Sequence, residues 1–304
     1  MERKIAAPCS PANRQEGRND MTAIEVLGGG PAVAPILFSV PHAGREYPAS
    51  LYARSRQPID VLKRLEDRYA DLLVTEQVAA GYVAVVAKAP RAIIDLNRNP
   101  RDIDPCTVSD IPRDVHLIQS PKQRGGLGLF PRFLPRVGDL WTAPLGWDEA
   151  ETRIRLIHAA YHAEVEGQID RAVARYGQAL LLDVHSMPPL AGGGAVARAD
   201  IVIGDRFGVS ATPRLADVAR VIAQRHGLAV AVNHPYPGYY LIERHGRPRA
   251  GRHALQIEIS RDLYLDDALD KAGPGLPAIH ALLADMTEAL STELVRGDFA
   301  VAAE

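Results

Sequence analysis

The sequence predicts an α/β fold with strands and helices packed in layers. Short apolar runs bounded by turn residues, which are typical of buried strands, alternate along the chain with segments whose apolar residues recur at helical spacing. The predicted helices end at glycines such as Gly81, Gly177 and Gly227. With 304 residues, of which 47% are hydrophobic, the chain can bury a core that needs no disulfide or structural metal.

The individual elements follow from the spacing of apolar residues. Each predicted strand is a short apolar run next to Pro, Gly or polar residues. The predicted strands are residues 36–40, 82–87, 92–96, 180–184, 200–204, 229–232 and 254–259. The predicted helices are residues 62–80, 150–176, 215–226 and 277–295.

The chain is predicted to form a single α/β domain over residues 31–304, preceded by a flexible tail at residues 1–30. The tail is polar and lacks the apolar stretch of a signal peptide. Residues 99–147 are rich in Pro, Gly and Arg and show no regular period. A connection of that length inside a compact domain favours a functional covering loop over a spacer.

Composition excludes several classes of function. A formal net charge of −2 gives no global attraction to nucleic acid or anionic membrane. Cys9 and Cys106 are too few for a disulfide framework or a cysteine-based zinc site, which favours a cytoplasmic protein. No glycine-rich nucleotide motif and no serine-hydrolase elbow occurs in the sequence.

Two histidines follow predicted strands and are candidate metal ligands. His42 comes after residues 36–40, and His185 comes after residues 180–184. Functional groups of open α/β sheets collect beyond the carboxyl ends of the strands, and a catalytic zinc takes three His or carboxylate ligands. The candidates for the third ligand are Asp67, Glu66 and Glu46. The alternative is that each histidine has only a structural role.

Glu258 is a candidate general base. It lies in an apolar run between Ile257 and Ile259, so it either faces water from an edge strand or lies in a crevice. A carboxylate in a partly dry site has a raised pKa and can accept a proton from water.

Asn97 and Arg98 suggest a clamp for a substrate carboxylate, because a guanidinium matches a carboxylate with paired donors. The alternative is that a buried Asp95 pairs with Arg91 or Arg98. Arg244 and Arg252 are weaker candidates for binding a second carboxylate of the substrate. His158 and His162 are four residues apart on a predicted helix but lack the glutamate of the zincin motif.

Taken together, these segments resemble the N-formylglutamate amidohydrolase family over roughly residues 35–266. The likeness is carried by several short motifs in the same order along the chain. They are Ser39-Val-Pro-His42-Ala-Gly44, Glu66-Asp67-Arg68-Tyr69, Ile94-Asp95-Leu96-Asn97-Arg98, Leu182-Asp183-Val184-His185-Ser186, Asn233-His-Pro-Tyr236-Pro-Gly238-Tyr-Tyr240, Arg244-His-Gly246-Arg-Pro248, Gly251-Arg-His253 and Gln256-Ile257-Glu258.

The resemblance implies a fold similar to zinc carboxypeptidases and aspartoacylases, with a mixed, mostly parallel eight-stranded sheet between helices in a three-layer α/β/α sandwich. It also implies one Zn²⁺ held by His42, Asp67 and His185, with Asp67 favoured as the carboxylate ligand. Metallopeptidases place a glutamate three residues after the first histidine, whereas this chain has Arg45 there. Glu46 is therefore the reserve ligand.

The function implied is hydrolysis of N-formyl-L-glutamate to formate and glutamate, a step of histidine catabolism. Glu258 would be the general base and Arg91 a donor to the developing oxyanion or a clamp. Asn97, Arg98, Arg244 and Tyr240 would bind this small anionic substrate. One alternative is a zinc amidase that acts on another N-acyl amino acid or a small peptide. The other is a metal-free protein that binds an acidic ligand.

Overall fold

The computed structural model describes residues 23–30, 33–191 and 198–296. Its centre is a seven-stranded sheet with the strand order β1-β3-β2-β8-β11-β9-β10. The strands of this sheet are β1 (Ile24–Leu27), β2 (Ile36–Val40), β3 (Val83–Ala87), β8 (Ala179–Met187), β9 (Ile201–Gly204), β10 (Val230–Val232) and β11 (Arg252–Ser260). The numbers β4 to β7 belong to short strands outside this sheet.

The sheet is mixed and mostly parallel. Strands β3, β2, β8 and β11 form a parallel block, to which β1 and β9 pair in the antiparallel direction, and β10 runs parallel to β9. All residues of β2, β3 and β8 are buried, which explains why these strands are apolar runs without alternation. The predicted layered fold is confirmed, but the described sheet has seven strands where the resemblance implied eight.

Helices cover both faces of the sheet. On one face, Phe38 and Leu182 pack in a cluster with residues of α7 (Pro213–Arg225) and α9 (Leu276–Arg296). On the other face, Leu37 and Leu181 pack with residues of α6 (Ala160–Tyr176). Successive strand residues point to opposite faces, so β2, β3, β8 and β11 each contribute to both clusters. This arrangement is the predicted three-layer sandwich. None of the helices in the described part of the chain is long and apolar enough to cross a membrane.

The predicted helix at residues 62–80 is wrong. The segment contains α2 (Ile59–Leu62), two short 3-10 turns and α3 (Thr75–Ala79). Glu66 is extended, with ψ 152°, and Tyr69 is left-handed, with φ 55°. Between them, the Asp67 amide donates to the His42 carbonyl oxygen at 3.0 Å. This tertiary hydrogen bond replaces helical bonding and brings Asp67 beside the end of β2.

The predicted strand at residues 92–96 is also wrong, because the segment is a series of turns. The Ile93 amide donates to the Pro90 carbonyl at 2.8 Å, and the Asp95 amide donates to the Leu129 carbonyl at 2.8 Å. Ala92, Ile93 and their apolar neighbours are buried. The apolar run therefore indicated burial and not a strand.

The predicted helix at residues 150–176 is present in three parts. They are α5 (Trp147–Arg153), a π-helical segment (Ile154–Ala159) and α6. The chain leaves α6 at Gly177, which is left-handed with φ 79°, as a helix-ending glycine commonly is.

Regular elements occur within the predicted tail and covering loop. Residues 1–22 lie outside the described part of the chain, and Ile24–Leu27, within the predicted flexible tail, form the edge strand β1. Residues 99–147 contain short elements, which are β4 (Val108–Ser109), α4 (Pro121–Arg124), β5 (Phe133–Leu134), β6 (Gly138–Asp139) and β7 (Leu145–Gly146). A further short helix, α8 (Tyr240–His245), precedes β11 in the sequence.

Candidate metal centre and active site

The candidate site lies where the parallel strands β2, β8 and β11 end side by side. His42 follows β2 by two residues, His185 lies near the end of β8, and Glu258 lies opposite His185 in the neighbouring strand β11. The chain after His42 passes so close to β3 that a Cβ on Gly44 would lie 2.1 Å from the Ala89 carbonyl oxygen. Glycine at this position therefore lets the turn that carries His42 pack against β3.

His42, Asp67 and His185 form a compact cluster with donor atoms suited to a metal ion. One ligand atom from each residue lies within 4.8 Å of the others. The Nδ1 atom of His185 is 2.9 Å from Asp67 Oδ2, and that of His42 is 3.3 Å from the same oxygen. The three residues are only 2–3% exposed. Of the three carboxylates considered from the sequence, Asp67 is therefore the one that lies in this cluster.

The two reserve carboxylates are bound elsewhere. Glu66 is buried and accepts hydrogen bonds from Tyr47 and Arg68. Glu46 is exposed and lies 3.6 Å from the Lys88 ammonium. Neither carboxylate belongs to the histidine cluster among the described residues.

The far side of each imidazole is held by a second carboxylate. His42 Nε2 donates to Asp95 at 2.8 Å, and His185 Nε2 donates to Asp183 at 2.8 Å. Metal-ligating histidines commonly donate their other N–H to a carboxylate in this way, because the contact fixes the tautomer and the ring orientation.

These contacts test whether the residues fit a metal ion. With Nε2 protonated, a neutral imidazole directs the lone pair of Nδ1 towards Asp67, which is itself only an acceptor. Two lone pairs and a carboxylate that face one another require a proton or a cation between them. The donor set, two imidazole nitrogens and one carboxylate, is one that catalytic zinc uses.

The electrostatics of the cluster favour positive charge. Burial by itself raises the pKa of Asp67, but hydrogen bonds from His185 and His42 outweigh it and hold that pKa below its usual value. Burial lowers the pKa of His185, but the negative charge of Asp183 outweighs it and holds that pKa well above its usual value. The carboxylates around the imidazoles thus stabilise a cation at this point.

Glu258 lies beside the cluster as a buried carboxylate. It is 8% exposed, and burial is the main cause that raises its pKa to about 7. The charge of His185 opposes this rise, and that of Asp67 adds to it. A carboxyl group with a pKa near neutrality can accept and return a proton at ordinary pH.

These residues line one cavity of about 220 Å³ with a marked excess of cationic side chains. Asp67 and Glu258 are its acidic lining residues. The cations on its wall are Arg64, Arg91, Arg98, Lys122 and Arg261. Lys122 comes from α4 in the 99–147 segment, so this segment contributes directly to the cavity.

The structure brings the predicted Asn97, Arg98 and Arg91 to the same cavity. Arg91 forms a bidentate pair with one oxygen of Asp95, at 2.9 Å from Nε and 2.8 Å from a terminal nitrogen. The ion pair between Asp95 and Arg91, which the sequence left open as an alternative to a substrate clamp, is therefore present. Since Asp95 also accepts from His42, the Arg91–Asp95 pair also supports the cluster of His42, Asp67 and His185.

Arg98 and Asn97 are well fixed by neighbouring groups. Arg98 donates to the carbonyl oxygens of Leu127 at 2.9 Å and of Asn97 at 2.8 Å, and its guanidinium lies 4.9 Å from the centre of the Tyr239 ring. The Asn97 Oδ1 atom accepts from the Leu241 amide at 2.9 Å. The side chain of Asn97 is therefore committed to protein contacts.

Arg244 and Tyr240 are not among the lining residues of this cavity, so their role in substrate binding stays a prediction. Arg244 donates to the Tyr240 hydroxyl at 3.1 Å and lies 3.6 Å from Glu166 on α6. The Tyr240 ring also lies against α6, with its centroid 5.2 Å from that of the His162 ring. Tyr240 lines a neighbouring cavity of about 430 Å³, which shares Arg98 and Lys122 with the first.

Several site residues were not predicted from the sequence. Asp183 had a readable signal, because a residue two positions before His185 in a strand points to the same side. Arg261 lies in the turn after β11, where it donates to Ser186 at 3.1 Å and lies 3.4 Å from Asp67 Oδ1. Lys122 comes from the four-residue helix α4 and Tyr239 from the residue before α8, and no sequence period marks them.

Comparison with known proteins gives a consistent result. The family model described as N-formylglutamate amidohydrolase matches residues 34–265. A protein of Pseudomonas aeruginosa named N-formylglutamate deformylase is 28% identical over 286 residues, which cover 89% of this chain and 95% of that protein. A protein of the same name from Pseudomonas putida is 28% identical over 249 residues, which cover 77% and 82% of the two chains.

Solved structures also resemble this fold. The crystal structure of N-formylglutamate amidohydrolase from Ralstonia eutropha JMP134 has a TM-score of 0.80 at 30% identity, covering 90% of this chain and 98% of that one. A protein from Agrobacterium tumefaciens has the same fold, with a TM-score of 0.62 at 22% identity and coverage of 89% and 95%. From the family match and its named relatives, the chain is a hydrolase that acts on a linear amide, and it belongs to the N-formylglutamate amidohydrolase family.

Proposed function

We propose that this chain hydrolyses N-formyl-L-glutamate to formate and glutamate with one zinc ion held by His42, Asp67 and His185. The observation that carries the proposal is the buried cluster of these three residues beside Glu258 in a small, cation-lined cavity. The family match and the two relatives named N-formylglutamate deformylase support the substrate.

The metal site is supported by the chemistry of its surroundings. When bound there, zinc would supply a Lewis acid for the attack of water on the formyl carbonyl group. Asp95 and Asp183 hold the Nε2–H groups of the two imidazoles, so both Nδ1 atoms present lone pairs to the same point. Arg261 lies beside Asp67 and helps to fix its carboxylate.

Glu258 carries the proton transfers. As the oxygen of water bonds to the formyl carbon, Glu258 accepts a proton from that water. It then returns the proton to the amino nitrogen of glutamate as the carbon–nitrogen bond breaks, which releases formate and glutamate. Its raised pKa, about 7, suits both transfers, and its burial keeps the transferred proton from bulk water.

The cations of the cavity support a substrate with two negative charges. Arg98 is held by three contacts in an orientation that places its guanidinium on the cavity wall. Lys122 lies on the same wall, with its ammonium 5.5 Å from the centre of the Tyr239 ring. Two cations that line the same small cavity and contact the same tyrosine ring match a carboxylate better than a neutral side chain. Arg91 in its pair with Asp95 remains our candidate donor to the developing oxyanion.

A second candidate is a zinc amidase of the same fold that acts on a larger N-acyl amino acid or a small peptide. The observation in its favour is the neighbouring cavity of about 430 Å³, which shares the wall formed by Asn97, Arg98, Lys122 and Tyr239. A substrate that extends past this wall would occupy both cavities. We also propose a cytoplasmic location and a place in histidine catabolism, as expected from the sequence.

A panel of N-acyl amino acids tests the proposal. The purified protein is assayed with N-formylglutamate, N-formylglutamine, N-acetylglutamate and a formylated dipeptide, each with and without a chelator. We expect chelator-sensitive hydrolysis of N-formylglutamate and at least ~10-fold weaker kcat/KM for the neutral N-formylglutamine, because one carboxylate contact is lost. Equal rates for the formylated dipeptide would favour the second candidate, and hydrolysis unaffected by chelator would contradict the zinc site.

A further inference from the structure

Gln256 is a buried polar residue beside the site that the mechanism above does not use. It lies in β11, two residues before Glu258, so both side chains point to the same face of the sheet. Its side chain is fully buried, at 0% exposure. A buried amide without partners is costly, so its hydrogen bonds show what it does in this position.

The amide nitrogen of Gln256 is bound to the candidate base. Gln256 Nε2 donates to Glu258 Oε1 at 2.9 Å. Within the described residues, the Glu258 carboxylate accepts no other hydrogen bond. The contact restricts rotation of the carboxylate and leaves its second oxygen for a water molecule.

The amide oxygen of Gln256 accepts a hydrogen bond from Asn97, a residue that lines the cavity. Asn97 Nδ2 lies 3.4 Å from Gln256 Oε1 and 3.3 Å from His185 Nε2. Since His185 Nε2 donates to Asp183, the acceptor for the Asn97 amide is Gln256. Asn97 in turn is fixed by the Leu241 amide.

We infer that Gln256 is a positioning residue that orients Glu258 and ties it to Asn97, next to Arg98. The inference rests on the proposed function, in which Glu258 is the base. Leu241, Asn97, Gln256 and Glu258 form a continuous chain of hydrogen bonds across the cavity wall. The segment that carries Arg98 and the base are thereby held in one fixed geometry.

Glutamine suits this position because its amide has both a donor and an acceptor. A methionine would fill nearly the same volume but could not donate to Glu258, and a glutamate would present an oxygen to it. Misplacement of a catalytic group by about 1 Å is enough to slow a reaction by about 100-fold. Loss of the Gln256 donor is therefore expected to affect turnover and to leave substrate binding nearly intact.

The test compares Gln256→Met with Gln77→Met. Gln77 is also a buried glutamine, at 2% exposure, but it lies near His280 at the α3–α9 contact, far along the chain from the site. For Gln256→Met we expect kcat for N-formylglutamate to fall by roughly 10- to 100-fold with KM within about threefold of wild type. Zinc content, measured by mass spectrometry, is expected to stay at the wild-type level. Gln77→Met is expected to change thermal stability and not kcat.

Gln256→Glu provides a second variant that keeps size and polarity but removes the donor. We expect it to lower kcat at least as strongly as Gln256→Met. The inference is overturned if either variant folds with wild-type kcat. It is also overturned if kcat and zinc content fall together, which would assign Gln256 to the metal site, or if neither variant folds, which would assign it to the core. Wild-type protein with no activity on N-formylglutamate would instead contradict the proposed function.

Discussion

The molecule contains two groups of buried histidines whose hydrogen-bond partners differ in charge. His42 and His185 lie at the ends of β2 and β8 and are surrounded by carboxylates. His158, His162 and His245 lie between α6 and α8, with ring centroids 4.5 Å apart for the first two and 5.3 Å apart for the last two. The comparison shows what separates the candidate metal site from a structural histidine cluster.

In the second group, the partners are neutral. His162 Nε2 donates to the Leu96 carbonyl at 2.9 Å, and His158 Nε2 donates to the Arg98 carbonyl at 2.8 Å. His162 Nδ1 then accepts from His245 Nε2 at 3.0 Å. These histidines therefore support the backbone of the segment that carries Asn97, and they hold one another in place.

The hydrogen-bond partners of each group determine whether burial leaves its histidines neutral. In the second group, burial is the main cause that lowers the pKa of His158 to about 4 and that of His245 to about 3, and it also lowers the pKa of His162. In the first group, the charge of Asp183 overcomes burial and raises the pKa of His185. Burial alone makes a histidine neutral, whereas burial with carboxylates prepares it to share a cation.

The largest difference between the two groups is expected when one histidine of each is removed. His185→Ala should lose zinc and reduce kcat by a factor of about 1,000 or more, because a ligand and the Lewis acid are lost together. His162→Ala should keep its zinc and lose stability. Zinc content and kcat of both purified variants check this. Retention of zinc in His185→Ala would contradict the assignment, and loss of zinc from His162→Ala would erase the distinction.

A smaller effect is expected when a carboxylate behind an imidazole is neutralised. Asp183→Asn keeps the shape of the side chain but weakens its hold on His185 Nε2–H, so zinc affinity should fall by roughly 10- to 100-fold. Competition with a chelator of known affinity measures this change. Asp139→Asn, in an exposed ion pair with Arg132, is the matched control and should leave zinc affinity unchanged. Equal affinity of Asp183→Asn and wild type would show that the carboxylate is not needed for metal binding.

The smallest effect concerns stability towards acid. His245 has a lowered pKa in the folded state, so between pH 6.5 and about 3 the unfolded chain binds more protons and stability falls as the pH falls. Replacing His245 by Gln removes this linkage. Between pH 7 and pH 5, the loss of unfolding free energy should then be smaller than in wild type by about 2 kcal/mol. Urea unfolding at both pH values checks this, and identical losses would show that His245 titrates normally.

Much of the fold could be predicted because parallel strands buried on both faces are readable as apolar runs. The site was readable where a polar residue interrupts or ends such a run, as for His42, His185 and Glu258. Segments 62–80 and 92–96 were mispredicted, because tertiary hydrogen bonds to His42 and Leu129 replace local periodicity there. A window of sequence contains no information about such distant partners.

The residues that line the cavity were only partly predictable for the same reason. Asn97 and Arg98 were found because they follow an apolar run, but Lys122 and Arg261 reach the cavity from elements only three or four residues long. Arg244 is not a lining residue of the cavity and lies instead 3.6 Å from Glu166 on α6. Arginine-rich stretches of sequence do not show which members turn inwards.

The most direct test of the account is anomalous X-ray diffraction at the zinc absorption edge from crystals of the zinc-loaded protein. We predict one strong peak between His42 Nδ1, His185 Nδ1 and an oxygen of Asp67, with Asp95 and Asp183 still bound to the Nε2 atoms. A peak at the His158–His162–His245 group, or none at the His42 cluster, would contradict it.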